Sequence, residues 1–200
     1  MIKNIIFDLA GVVMNLDLER DTAALVAAGL PDYATCLRNP VLKAVLDGYL
    51  NGLTTEDEFL TGIRPFCRQN ATREEIMWAM NAVLGPVPLE RIQRICALKK
   101  RYRVYLLSNI YEDAWMHAVR EIESKGYALS DLFHQLFLSY EMKLAKPDPR
   151  IFRELFRATG IVPEETIYFD DTRENIEIGK ALGLHAVLVP MNQLESCLED

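Results

Sequence analysis

Residues 2–9 read Ile-Lys-Asn-Ile-Ile-Phe-Asp-Leu, and Ala10-Gly11 follow at once. An apolar run that ends in an acid and a turn is typical of a buried strand with a polar group at its carboxyl end. Four further short apolar runs occur later in the chain, separated by segments with helical signals. Strands separated by helices of about 10–15 residues form parallel sheets that helices cover on both faces. We therefore predict an α/β fold built on a parallel sheet.

The chain after residue 87 alternates regularly between predicted helices and strands. Asp148-Pro149 supplies a cap and a first-turn proline for one helix, and Gly160 supplies its stop. Right-handed crossovers between such units keep the strands parallel. The helices are expected at about 88–100, 111–124, 148–160 and 172–182, and the strands at 103–108, 135–139, 166–170 and 186–189.

One long segment interrupts this alternation, because it contains helical signals and no good strand. Thr55 and Thr72 are each followed three residues later by glutamate, the spacing of a capping box that begins a helix. Gly85 is placed to end the helix that begins near Thr72. The chain is thus predicted to divide into a core at 1–15 and 85–200 and a helical insert at 16–84.

Composition limits the classes of partner. The 200 residues carry 22 basic and 29 acidic side chains, a formal net charge of −7. This balance argues against a general binder of nucleic acid or anionic membranes and favours a small molecule. Cysteines at 36, 67, 96 and 197 form no C-x-x-C pair, which excludes a zinc ribbon or a thioredoxin-like site. Scattered thiols, with no apolar run of about 20 residues, predict a cytoplasmic protein.

Polar side chains follow several of the predicted strands. Ligands bind beyond the carboxyl ends of the strands in an open parallel sheet, so these side chains should converge. Three carboxylates in one crevice would repel one another unless a cation held them, and oxygen ligands of this kind select Mg²⁺. A lysine and a hydroxyl there can hold the oxygens of a phosphoryl group while an aspartate attacks it. The residues concerned are Asp8, Ser108, Asn109, Lys146, Asp170 and Asp171. The pattern predicts phosphoryl transfer through an aspartyl-phosphate, followed by hydrolysis.

Four segments together resemble the motifs of the haloacid dehalogenase superfamily, in the same order along the chain. They are Phe7-Asp8-Leu9-Ala10-Gly11-Val12-Val13, Leu106-Leu107-Ser108-Asn109, Lys146-Pro147-Asp148-Pro149 and Tyr168-Phe169-Asp170-Asp171-Thr172-x-x-Asn175. Each motif alone is weak evidence for this superfamily, but four motifs in the same order over nearly the whole chain are a specific signal. The resemblance implies a doubly wound, Rossmann-like core with an inserted helical-bundle cap of the C1 type.

The resemblance also implies a role for each matching residue. Asp8 would be the nucleophile and a Mg²⁺ ligand, and the backbone carbonyl of Ala10 a second ligand. Asp171 would bind the metal directly, and Asp170 directly or through water. The phosphoryl group would be held by Ser108, Asn109 and Lys146.

Position 10 departs from the pattern of most phosphatases in this superfamily. Their second aspartate, two residues after the nucleophile, protonates the leaving group and later activates water, whereas this chain has Ala10. Such a group contributes typically 10²–10⁴-fold to the rate. Asp17 is the nearest later acid in the sequence.

We predict a Mg²⁺-dependent phosphatase for a small phosphorylated metabolite, with a sugar phosphate as one candidate. Three alternatives remain open. A 2-haloacid dehalogenase would use the same nucleophile on carbon without a metal, although the adjacent acids at 170 and 171 favour a metal site. A phosphomutase usually needs the aspartate that Ala10 replaces. A catalytically degenerate binding or regulatory module would also fit Ala10, but not the intact remaining motifs.

Overall fold

The computed structural model describes residues 1–198 and contains one five-stranded parallel sheet in the order β3-β2-β1-β4-β5. The first strand therefore lies at the centre of the sheet, with its carboxyl end between those of β2 and β4. The sequence prediction of five parallel strands is confirmed. The strands are β1 (Asn4–Phe7), β2 (Arg103–Ser108), β3 (Gln135–Leu138), β4 (Thr166–Asp170) and β5 (His185–Leu188).

Helices cover both faces of the sheet, because alternate side chains of each strand point to opposite sides. Ile5 and Phe7 of β1 belong to the apolar cluster that includes helices 89–99 and 112–123, whereas Ile6 belongs to the cluster that includes helices 149–159 and 173–181. The helices are α1 (Leu18–Ala28), α2 (Tyr33–Arg38), α3 (Pro40–Leu50), α4 (Glu56–Ile63), α5 (Arg73–Asn81), α6 (Leu89–Lys99), α7 (Glu112–Glu123), α8 (Leu129–Leu132), α9 (Ser139–Met142), α10 (Pro149–Thr159) and α11 (Arg173–Ala181).

Helices α1–α5 follow one another between β1 and β2. The capping boxes at Thr55 and Thr72 are present, with hydrogen bonds in both directions between each threonine and its glutamate. Helix α1 packs against α5, and α3 against α4. Their buried side chains join the same apolar cluster as one face of the sheet. None of the helices in the described chain combines the length and hydropathy needed to cross a bilayer.

Several predicted element ends differ from the structure, and two of them have a clear physical reason. Helix α5 ends at Asn81 rather than at Gly85. Gly85 instead lies where the segments that lead into and out of helices α1–α5 run antiparallel, side by side. The Gly85 N–H donates to the carbonyl of Asn15 at 2.8 Å, and a Cβ at residue 85 would lie 2.8 Å from that oxygen. The strand predicted at 135–139 ends at Leu138, because Ser139 begins α9 and its Oγ accepts the Ile110 N–H and donates to the Leu50 carbonyl.

Candidate active site

The carboxylate of Asp8 lies at the carboxyl end of the central strand. The Asp8 N–H continues the ladder to the Phe169 carbonyl at 2.9 Å, and the Leu9 N–H donates to Asp8 Oδ1 at 2.7 Å. Gly11 then takes a φ of 79°, and a Cβ at this position would lie 2.1 Å from Asp171 Oδ2. Glycine is required here on both counts, because the turn after the strand approaches the second acid closely.

Lys146 joins two of the acids. Its Nζ lies 2.8 Å from Asp8 Oδ1 and 2.7 Å from Asp170 Oδ2, and its side chain is only 1% exposed. The backbone of Lys146 is held by Asn109, whose Oδ1 accepts the Lys146 N–H at 2.9 Å and whose Nδ2 donates to the Lys146 carbonyl at 2.7 Å. The amide of Asn109 therefore positions the lysine backbone.

Asp170 is completely buried and surrounded by donors. Besides Lys146, it accepts hydrogen bonds from the Tyr168 hydroxyl, from Asn175 Nδ2 at 3.0 Å and from the Thr172 N–H at 2.8 Å. The fourth motif contains both Tyr168 and Asn175, but nothing in the residue pattern indicates this role for them. Their donors occupy the lone pairs of Asp170, which leaves Asp171 as the more available carboxylate of the pair.

The three acids form a cluster that fits a hard divalent cation. One carboxylate oxygen from each of Asp8, Asp170 and Asp171 lies within 4.8 Å of the others. An all-oxygen donor set of this kind suits Mg²⁺ rather than zinc or copper. The three acids predicted as metal ligands are thus brought together.

The acids of the cluster differ in the direction in which their pKa values are shifted. Burial raises the pKa of Asp8 to about 7, with Lys146 opposing the rise and Asp170 adding to it. Burial and the charge of Asp170 also raise the pKa of Asp171. Burial acts in the same direction on Asp170, but Lys146 outweighs it and lowers the pKa of that carboxyl. Because Lys146 balances mainly Asp170, the ionised forms of Asp8 and Asp171 call for a further cation.

Ser108 is the one described side chain at the end of β2 with an unused polar atom. It is fully buried, and its Oγ makes no hydrogen bond to any residue at 1–198. A buried hydroxyl without a partner costs free energy, so such an atom calls for an explanation. A phosphoryl oxygen bound next to Asp8 would supply the missing partner.

A cavity of about 440 Å³ opens above Asp8 and Lys146 and extends to helices α1–α5. Asp8, Ala10, Lys146 and Asp171 line its core end. Asp17 does not line it, because its side chain caps α1 by accepting the Arg20 N–H at 2.9 Å. The nearest later acid in the sequence is therefore not the one that faces the site.

Sequence reasoning missed Arg91, which is 1% exposed. Its guanidinium donates to the Val12 carbonyl at 2.7 Å and the Val13 carbonyl at 3.2 Å, and pairs with Glu195 at 2.7 Å. It therefore fixes the loop that follows Asp8 against the C-terminal segment. No motif marks this arginine, and its partners are mostly backbone carbonyls that a sequence pattern cannot reveal.

Comparisons with known proteins show which family has this architecture. The family model described as haloacid dehalogenase-like hydrolase matches residues 2–183. A D-ribitol-5-phosphate phosphatase of Bacteroides thetaiotaomicron is 35% identical over 185 residues, which cover 92% of this chain and 89% of the relative. A HAD family enzyme from the same organism, solved as a complex with magnesium and inorganic phosphate, has a TM-score of 0.89 at 31% identity and covers both chains fully.

An L-2-haloacid dehalogenase of Xanthobacter autotrophicus is a more distant structural neighbour. Its TM-score is 0.62 at 18% identity, covering 94% of this chain and 78% of that one, which shows a shared fold alone.

The sheet, the acid cluster and these relatives define a hydrolase of the α/β class. The chain belongs to the haloacid dehalogenase-like hydrolase family. It is a Mg²⁺-dependent phosphatase that acts on a small phosphorylated substrate. The predictions of family, fold, hydrolase activity and metal are thereby confirmed, and the phosphatase is favoured over the dehalogenase and the degenerate module.

Proposed function

We propose that Asp8 is the nucleophile and that Lys146 and Ser108 hold the transferred phosphoryl group. The observation that carries this assignment is the contact of one buried ammonium with both Asp8 and Asp170, together with a buried hydroxyl that has no hydrogen-bond partner among residues 1–198. Asn109 acts through Lys146, because both polar atoms of its amide contact the lysine backbone.

The metal would be held by Asp8, Asp171 and the backbone carbonyl of Ala10, with Asp170 behind them. This division follows from the donors that already surround Asp170. When bound, Mg²⁺ supplies positive charge that offsets the repulsion between carboxylate and phosphate.

The reaction then proceeds in two displacements at phosphorus. Asp8 attacks with one carboxylate oxygen, a bond forms to phosphorus, and the bond from phosphorus to the leaving oxygen breaks. Lys146 and Ser108 stabilise the charge on the remaining phosphoryl oxygens. Water next attacks the aspartyl-phosphate, which releases inorganic phosphate and restores Asp8. Because Ala10 carries no acid, the leaving oxygen departs as an anion or takes a proton from water.

We further propose that residues 16–84 form a cap over a core at 1–15 and 85–200. Side chains of α1, α2, α3 and α5 line the cavity opposite Asp8, which supports a role in selecting the substrate and excluding bulk water. The phosphate esters of sugars and sugar alcohols are the substrate class that the ribitol-phosphate phosphatase relative supports. The four cysteines are free thiols, which supports the cytoplasm as the compartment.

The test is phosphate release from a panel of sugar phosphates, polyol phosphates and an aryl phosphate, with Mg²⁺ and with excess chelator. We expect release that depends on Mg²⁺, and no halide release from a 2-chloroalkanoate. Halide release that persists in chelator would instead support the dehalogenase. Binding of phosphate esters without turnover would support the regulatory module.

A further inference from the structure

The cavity above Asp8 has two chemically different ends. The core end carries Asp8, Lys146 and Asp171, whereas the end formed by helices α1–α5 is mostly apolar, with side chains such as Leu25 and Leu42. In a largely apolar cavity, the few polar groups decide which ligand fits and in which orientation.

Asp21 of α1 stands out among the polar groups at the helical end. It lies within the first turns of the helix and lines the cavity, and its side chain makes no hydrogen bond or ion pair with residues 1–198. Asp47 of α3 also lines the cavity, but Lys43 pairs with it. Tyr33 also lines the cavity, and the charges of Asp47 and Asp21 add to the effect of partial burial in raising the pKa of its hydroxyl.

No cation balances Asp21 from within the cavity. Lys146 is the only basic side chain among the described residues that line it, and Lys146 is already bound to Asp8 and Asp170. Partial burial raises the pKa of Asp21 without an opposing positive charge. A leaving group that reaches this end therefore meets a hydrogen-bond acceptor with negative charge.

We propose that Asp21 is a specificity-determining residue that selects leaving groups with hydroxyl donors and rejects those with a second anionic group. The inference rests on the proposed function and adds the chemistry of the part of the substrate that departs. A hydroxyl that donates to a carboxylate gains more than one that donates to a neutral acceptor. A second phosphate or carboxylate would face like charge with no basic side chain to receive it.

Asp17 provides a matched control on the same helix. Asp17 is an aspartate one turn earlier, and its side chain lies outside the cavity. Asparagine at position 17 would still cap helix α1. The experiment measures kcat and KM for three five-carbon esters: D-ribitol 5-phosphate, pentyl phosphate and pentane-1,5-diol bisphosphate. The proteins compared are the natural chain, Asp21→Leu, Asp21→Lys and Asp17→Asn, all with Mg²⁺.

For Asp21→Leu we expect kcat/KM for the polyol phosphate to fall about tenfold, mainly through KM, and that for pentyl phosphate to stay within about twofold. Asp21→Lys should raise kcat/KM for the bisphosphate about tenfold, because it reverses the local charge. Asp17→Asn should leave all three values unchanged.

The pentyl ester also reports on folding, because it needs the core residues but offers no hydroxyl to Asp21. If Asp21→Leu leaves the ratio of kcat/KM for the polyol ester to kcat/KM for the pentyl ester unchanged, the inference is overturned while the proposed phosphatase stays intact. If the natural chain hydrolyses neither these esters nor an aryl phosphate, the proposed function fails and the inference falls with it.

Discussion

The two ends of the cavity differ in how their polar groups are satisfied. At the core end, Asp170 and Lys146 are buried and held by several partners at hydrogen-bond distance. At the helical end, Asp21 and Tyr33 are partly exposed and make no side-chain hydrogen bonds within residues 1–198. A rigid, satisfied network suits chemistry, which needs fixed geometry, whereas open polar groups suit the recognition of a variable leaving group. The difference predicts that loss of a core group lowers the rate on all substrates and that changes at the helical end alter only the choice among them.

The largest effect is expected from Asp8→Asn. The amide keeps the shape but lacks the attacking anion, so turnover of every ester should fall by on the order of 10⁴-fold or more. Asp17→Asn, which changes an aspartate outside the cavity in the same way, is the matched control and should keep full activity. Phosphate release and thermal melting measure activity and folding. Substantial residual turnover by a folded Asp8→Asn protein would place the nucleophile elsewhere.

Lys146→Met is expected to lower kcat/KM by about 10³-fold on all substrates, since it removes the charge that stabilises the phosphoryl oxygens. Loss of this lysine also leaves Asp170 buried without its cation, which destabilises the fold. The double variant Lys146→Met/Asp170→Asn removes that buried charge and should recover stability but not activity. Recovery of activity in the double variant would show that Lys146 serves the fold alone.

Ala10→Asp tests the missing acid. In the natural chain, kcat/KM should depend steeply on the pKa of the leaving group, with aryl, acyl and anomeric sugar phosphates hydrolysed best. A carboxyl at position 10 should flatten this dependence and raise the rate on alkyl phosphates by up to about 10²-fold. The slope is measured with a series of aryl and alkyl phosphates. A flat dependence in the natural chain would show that another group already supplies the proton.

The smallest effect concerns stability and pH in the metal-free protein. Burial holds the pKa of Asp8 at about 7 in the folded state, above its value of about 3.9 in an unfolded chain. The folded state binds more protons between these values, so stability falls as the pH rises through them. Asp8→Asn should therefore melt a few degrees higher than the natural chain at about pH 8, and the two should converge near pH 4. Mg²⁺ should reduce this difference in melting temperature, because it binds to the natural chain and stabilises it. A lower melting temperature for Asp8→Asn at about pH 8 would contradict the assigned pKa.

The core end could be predicted from sequence because its groups follow strands. The carboxyl ends of parallel strands lie at one edge of the sheet. Asp8, Ser108 and Asp170 stand at the ends of β1, β2 and β4, so they could be expected to lie close together. The role of Asn109 was harder to predict, because its contacts with the backbone of Lys146 depend on the path of the loop after α9.

The helical end could be predicted only as a set of helices. The capping boxes at Thr55 and Thr72 mark where two helices begin. The spacing of apolar residues along α1, however, does not show which face of this helix meets the cavity. Asp17 and Asp21 lie one helical turn apart, yet only Asp21 lines the cavity, because the capping contact holds Asp17 at the helix end. Arg91 was missed for a similar reason, since its partners come from distant loops.

Trapping the aspartyl-phosphate shows directly whether the core end performs the chemistry through Asp8. The protein with Mg²⁺ is mixed with an aryl phosphate, quenched in acid within the first turnovers, digested and analysed by mass spectrometry. We expect one phosphoryl group on the peptide that contains Asp8, formed as fast as the aryl leaving group is first released and absent from Asp8→Asn. Full turnover with no phosphorylated peptide, or a phosphoryl group on another residue, would show that Asp8 is not the nucleophile.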